Sequence, residues 1–218
     1  MSAGSAPRAA VFDLDGTLIL SEHRNRAVWE AFLAGRGIVI DDDFARRVTG
    51  RRGVDVFTEL FPGQSHEALI AEILQVVATA ELPEMTHVPG AAAYVRGLAA
   101  ADVPLGLVTS AYREHVDEVL AGLGVDGAFG VLVTSADVRR GKPDPEGYLK
   151  ACAALGVDPA DAVGFEDSEA GVAAVRAAGM RCVGVATTLD PALLAEDADL
   201  VVPSFENLAW PPPFGSLA

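Results

Sequence analysis

Only two cysteines, Cys152 and Cys182, occur in the 218 residues of this chain. They fall in stretches that read as an apolar helix face and a core strand, with no metal-ligand spacing, which excludes a disulfide framework and a thiolate metal centre. Both are expected to be small buried hydrophobes in a reducing compartment. Basic residues are also scarce: sixteen Lys and Arg face thirty-one Asp and Glu, for a formal net charge of -15. That balance argues against nucleic acid or an anionic membrane as a partner, and an anionic substrate would need locally clustered positive groups. Long uncharged apolar runs are missing, and residues 1–10 contain no apolar stretch of a secretory signal. The chain is therefore expected to be a cytoplasmic protein. No P-loop, Cys-x-x-Cys pair, zinc-binding helix or serine elbow occurs.

What is present is a 50% hydrophobic chain, enough for one large core or a core with a smaller domain. Short β-branched runs alternate with longer Ala-rich helical patterns, the rhythm of a doubly wound parallel sheet. The expected strands are the run ending at Phe12, then 104–109, 130–134, 162–165, 181–185 and 199–202. One block breaks the rhythm. From Ser21 to Met85 the apolar spacing is helical, with Val28, Trp29, Phe32 and Leu33 on one face and Leu69, Ile73 and Val76 on another. The expected organisation is a Rossmann-like α/β core over residues 1–20 and 87–218, with an all-helical insert over 21–86. The tail from Trp210 to Pro213 reads as an extended segment on the surface.

The first strand runs into Phe12-Asp13-Leu14-Asp15-Gly16-Thr17. Strand alternation predicts that Asp13 and Asp15 project to one side. Two carboxylates about 4 Å apart at an effective dielectric near 20 repel by about 4 kcal/mol, so a cation or a retained proton is required. Three more polar clusters follow later strands: Thr109-Ser110, Lys142 in Gly141-Lys142-Pro143-Asp144-Pro145, and Glu166-Asp167-Ser168. Singly, each has a structural explanation as helix cap, turn or solvated side chain. Ser168 itself is expected to cap its helix, with Gly179 ending it. In an open parallel sheet, however, ligands bind beyond the carboxyl ends of the strands, and all four clusters are placed there in order. Hydroxyls and a lysine suit phosphate oxygens, and clustered carboxylates suit a hard cation, with magnesium the expected ion.

Two competing patterns fail. A calcium loop opening at Asp13 would place Leu18 at its glycine position and Arg24 at its closing glutamate. Gly122-x-Gly124-x-x-Gly127 follows a helical stretch and precedes a strand, the reverse of a dinucleotide site.

The four ordered motifs resemble those of the haloacid dehalogenase superfamily, and the helical insert resembles that superfamily's α-helical cap. Within it the chain looks most like the branch of small sugar-phosphate and polyol-phosphate phosphatases and β-phosphoglucomutase. The resemblance implies that Asp13 is the nucleophile and Asp15 the general acid and base. It implies magnesium held by Asp13, the backbone carbonyl of Asp15 and Asp167, with Glu166 orienting that shell. Thr109, Ser110 and Lys142 would hold the phosphate. Arg51, Arg52 and Asn25 are the cap's candidate substrate contacts, Arg51 and Arg52 as part of a basic patch with Arg46 and Arg47. Asn25 and Leu20 depart from the branch, which carries His and often Asp there, and the mutase's cap arginine falls at Gly53. The expected activity is a phosphatase acting on a small phosphorylated metabolite as a monomer. A phosphosugar mutase and a non-catalytic phospho-ligand binder are the alternatives.

Overall fold

The computed structural model describes residues 6–214. The chain begins with β1 (Ala9–Phe12) and β2 (Ile19–Leu20), followed by four helices, α1 (Glu22–Ala34), α2 (Asp42–Val48), α3 (Gly53–Leu60) and α4 (His66–Thr79). After β3 (Thr86–His87) it alternates: α5 (Ala91–Ala100), β4 (Leu105–Val108), α6 (Arg113–Leu123), β5 (Val131–Val133), α7 (Glu146–Leu155) and β6 (Ala162–Glu166). The remaining elements are α8 (Glu169–Ala177), β7 (Arg181–Val185), α9 (Pro191–Leu194) and β8 (Leu200–Val202).

Six strands form one sheet in the order β5-β4-β1-β6-β7-β8, every pair parallel. A strand covered on both faces needs no polar alternation, and β1 is buried at all four residues. Ala10 and Phe12 join the core beneath α5 and α6 with Val95, Val116 and Leu120. Ala9 and Val11 join the opposite core beneath α7 and α8 with Tyr148, Cys152 and Val175. Both cysteines are free and buried. The fold is thus the α/β doubly wound sheet, with β1 central and its neighbours β4 and β6 reached by crossovers in opposite directions. The crevice beyond the carboxyl end of β1 is where such sheets bind ligands.

Register fixes what meets there. Phe12 pairs with Phe165 across β1 and β6, and their rings stack with centroids 4.5 Å apart and planes 6° apart. The residues that follow, Asp13 and Glu166, therefore emerge side by side, and Asp13 N–H donates to the Phe165 carbonyl at 3.0 Å.

Helices α1 to α4 enclose a separate aromatic cluster of Phe32, Leu33, Phe44, Phe57, Phe61 and Leu69, with Trp29 against it. Asp41 caps α2 by accepting from Phe44 N–H at 2.7 Å, and Ser65 caps α4. No residue from 21 to 85 belongs to either sheet. The chain enters and leaves this helical block through β2 and β3, a two-residue antiparallel pair with Leu20 opposite Thr86. Sequence periodicity gave no sign of that pair, since two residues carry no alternation. Gly124 ends α6 in the left-handed conformation, so the Gly122–Gly127 pattern is a helix stop. The 210–214 segment is held at the surface: Trp210 and Phe214 pack on the core, and Tyr94 donates to the Ala209 carbonyl.

Candidate active site

Lys142 is the centre of the site. Its ammonium lies 2.5 Å from Asp13 Oδ1 and 2.5 Å from Glu166 Oε1, with all three side chains buried. Asp13, Glu166 and Asp167 bring carboxylate oxygens within 4.8 Å of one another. Three carboxylates around one ammonium leave surplus negative charge in a dry site. Burial pushes the Asp13 carboxyl up to about 8 despite the pull of Lys142. Burial likewise holds Asp167 well above the usual carboxylate range, with Asp13 and Glu166 adding to it. For Lys142, burial opposes the charged form, but Asp13 and Glu166 outweigh it and keep the ammonium protonated.

One atom tests whether a cation fits. Asp167 Oδ2 is buried with no hydrogen-bond partner, while Oδ1 accepts from Thr17 Oγ1 at 3.2 Å. An orphaned carboxyl oxygen beside two further carboxyl groups, with no soft ligand in the group, is a donor set for a hard oxygen-loving cation. Close packing keeps those oxygens in place. Gly16 has φ +89°, and a Cβ there would lie 1.9 Å from Asp167 Oδ2. A Cβ at Gly171 would lie 1.9 Å from the Glu166 carboxyl carbon.

Asp15 stands apart from this cluster. The strand ends at Phe12, and Leu14 turns the chain by accepting from Leu18 N–H and Ile19 N–H, so strand alternation does not extend to Asp15. Its Oδ1 instead meets His115 Nε2 at 3.1 Å. Asp13 and Asp15 nevertheless line one cleft of about 440 Å³, together with Thr109, Ser110 and residues of α1 and α4.

Thr109 Oγ1 accepts from Ala111 N–H at 3.1 Å. Ser110 Oγ donates to the carbonyl of Gly50 at 2.7 Å. Gly50 lies so close to the core that a Cβ would fall 2.2 Å from Ser168 Oγ, and Ser168 caps α8 by accepting from Gly171 N–H. The Thr49-Gly50 turn is thus seated on the ends of β4 and β6.

The arginines of the expected basic patch all face acids: Arg46 meets Asp43 and Glu169, Arg47 meets Asp43 and Glu59, and Arg51 meets Glu59. Arg52 is buried, and its five N–H groups are all engaged. Nε and Nη2 hold the Asp55 carboxylate at 2.8 Å each, and the remaining donors reach the carbonyls of Ser135, Val138 and Arg139. A substrate contact by Arg52 would require this network to open. Arg51 and Asn25 line the cleft, and Asn25 reaches Ser21 Oγ at 3.4 Å.

Two participants escaped the sequence reading. Tyr148 donates to Glu166 Oε1 at 2.7 Å from beneath the site; its signal was a tyrosine on the buried face of the helix after Lys142, whose hydroxyl needs a partner. His115 lies five residues beyond Ser110, in the first turn of α6, and no spacing links it to Asp15.

Over residues 7–179 the sequence matches the haloacid dehalogenase-like hydrolases. The chain belongs to that family. It is 42% identical over 207 residues to validoxylamine A 7'-phosphate phosphatase of Streptomyces hygroscopicus subsp. limoneus, covering 94% of this chain and 97% of the relative. It is 32% identical to hexitol phosphatase A of Escherichia coli, covering 91% of each. A crystal structure of β-phosphoglucomutase from Clostridium difficile superposes with a TM-score of 0.79 over 94% of each chain at 23% identity, a likeness of fold. This haloacid dehalogenase-like hydrolase thus shares nearly its whole length with phosphatases. Among its described residues no helix is long and apolar enough to cross a membrane.

Proposed function

We propose that the chain is a magnesium-dependent phosphatase of a small sugar or polyol phosphate. The observation that carries this reading is the buried Asp13, Lys142, Glu166 and Asp167 group with its orphaned Asp167 oxygen, set at the carboxyl ends of β1 and β6. The substrate class rests on the named substrates of the relatives. Residues 21–86 act as a cap over the core of residues 1–20 and 87–218, closing the cleft around the alcohol part of the substrate.

Asp13 attacks phosphorus as the bond to the alcohol breaks, giving an aspartyl phosphate and splitting one displacement into two. Asp15 gives a proton to the departing alcohol oxygen and then takes one from the attacking water, which releases inorganic phosphate from Asp13. Lys142 stays charged and holds a phosphate oxygen while keeping the Asp13 oxygen aimed at phosphorus. Thr109 and Ser110 bind the remaining oxygens. The oxygens of Asp13 and Asp167 and the Asp15 carbonyl would hold magnesium, with Glu166 fixing Lys142 beside them. When bound, the ion offsets the repulsion between the nucleophile and the phosphate dianion.

The test is release of inorganic phosphate from sorbitol 6-phosphate, glycerol 1-phosphate and β-glucose 1-phosphate, with and without magnesium. Metal-dependent release supports the reading. Conversion of β-glucose 1-phosphate to glucose 6-phosphate without release would make the chain a mutase, and binding without turnover would make it a binding module.

A further inference from the structure

The main chain on both sides of the Asp15–His115 contact is held by other interactions. The main chain around Asp15 is fixed by bonds of its own: Gly16 N–H donates to the Ile19 carbonyl, Leu18 N–H to the Leu14 carbonyl, and Thr187 Oγ1 to the Gly16 carbonyl. Helix α6 is anchored by Val116, Val119, Leu120 and Leu123, all buried. What neither set of contacts fixes is the Asp15 carboxylate. It is about a quarter exposed at the cleft wall, and an aspartate χ1 has three staggered wells open to it. Its one hydrogen bond among the described residues is to His115 Nε2, which lines the same cleft. A carboxylate has no hydrogen to give, so the imidazole N–H is the donor.

The contact also distinguishes the two Asp15 oxygens. A carboxyl group can accept at one oxygen while carrying its proton on the other. With His115 on Oδ1, Oδ2 is the oxygen left for exchange. We propose that His115 is a positioning residue for Asp15: its Nε2–H holds Oδ1 so that Oδ2 faces the reacting oxygens of the cleft. In the first step the bond from Asp13 to phosphorus forms and the bond from phosphorus to the alcohol breaks, while the Oδ2 proton passes to the alcohol oxygen. In the second, water attacks phosphorus, its proton returns to Oδ2, and the bond to Asp13 breaks. This role rests on the phosphatase reading and goes beyond it, because no sequence motif includes His115.

The bond's value depends on how badly the leaving group needs a proton. An alkoxide leaves only when protonated, whereas p-nitrophenolate leaves without help, and kcat/KM reports steps up to the first phosphoryl transfer. The experiment compares wild type, His115→Ala and His115→Gln on sorbitol 6-phosphate and p-nitrophenyl phosphate, with thermal melts of all three proteins. His115→Ala is expected to lose about 10- to 100-fold in kcat/KM on the alkyl phosphate, the scale for a misplaced catalytic group, and no more than about threefold on the aryl phosphate. His115→Gln, which keeps an uncharged N–H at the same reach, should recover most of the loss. Equal losses on both substrates, no loss on either, or no recovery with Gln at an unchanged melting temperature would overturn the positioning role. Wild-type protein that releases phosphate from neither substrate would overturn the phosphatase reading and the role that rests on it.

Discussion

The Lys142 ammonium lies 2.5 Å from Asp13 Oδ1 in the interior, yet the Asp13 carboxyl sits near 8 rather than in the usual acidic range. Burial is the largest cause, and Glu166 and Asp15 add to it against the pull of Lys142. The site therefore stores electrostatic strain that a metal ion would relieve.

That strain has a sign in pH. Because the folded pKa of Asp13 is raised, its contribution to stability is full below the unfolded value near 3.8 and is lost as pH climbs toward 8. In chelator, the melting temperature of wild type should fall relative to Asp13→Asn between pH 5 and 8, and magnesium should shrink the gap. Asp13→Asn should also abolish phosphate release while binding phosphate with magnesium. A melting difference that does not change with pH would contradict the assignment.

Gly16→Ala adds one methyl group where no room exists: φ is +89° and the new carbon would meet Asp167 Oδ2 at 1.9 Å. Displacing that oxygen should raise the magnesium needed for half-maximal activity by about 10- to 100-fold, the usual range for perturbing a metal ligand's surroundings. The magnesium-induced rise in melting temperature should weaken in parallel. Unchanged magnesium response in both measurements would separate Asp167 from the metal.

Arg52→Ala removes a buried guanidinium and strands Asp55 and three carbonyls. Each buried carbonyl left without a donor costs about 1–3 kcal/mol, while Asp55, about a third exposed, is partly re-solvated; urea unfolding would register the loss. Lysine has no planar fork and should rescue little of it.

Arg51 lines the cleft, with Glu59 its one acid partner among the described residues. Arg51→Ala should lower kcat/KM for the best sugar phosphate by about 10-fold or more, the range for a lost charged hydrogen bond, and affect p-nitrophenyl phosphate much less. Equal losses would return Arg51 to a surface role.

The sheet and the four strand-end clusters were legible because they are local. A continuous apolar run ending in Asp13, or in Glu166, needs only neighbours in sequence to be seen. Arg52 looked like part of an open basic patch, since the carbonyls that bury it come from residues 135–139 and no spacing announces them. His115 is separated from Asp15 by 100 residues and Tyr148 from Glu166 by 18. Such partners are fixed by register and crossover geometry, and motif spacing is blind to both. The β2–β3 pair was hidden for the opposite reason, being too short to show a period.

Ser110 is a proposed phosphate ligand, but its single hydroxyl hydrogen already points at the Gly50 carbonyl, 2.7 Å away. A phosphate oxygen has only lone pairs to offer and must compete for that same hydrogen. In the proposed function, the Gly50 peptide oxygen thus stands where a phosphoryl oxygen would accept. A phosphate held by Ser110 in the proposed way would therefore have to take that hydrogen from the Gly50 carbonyl.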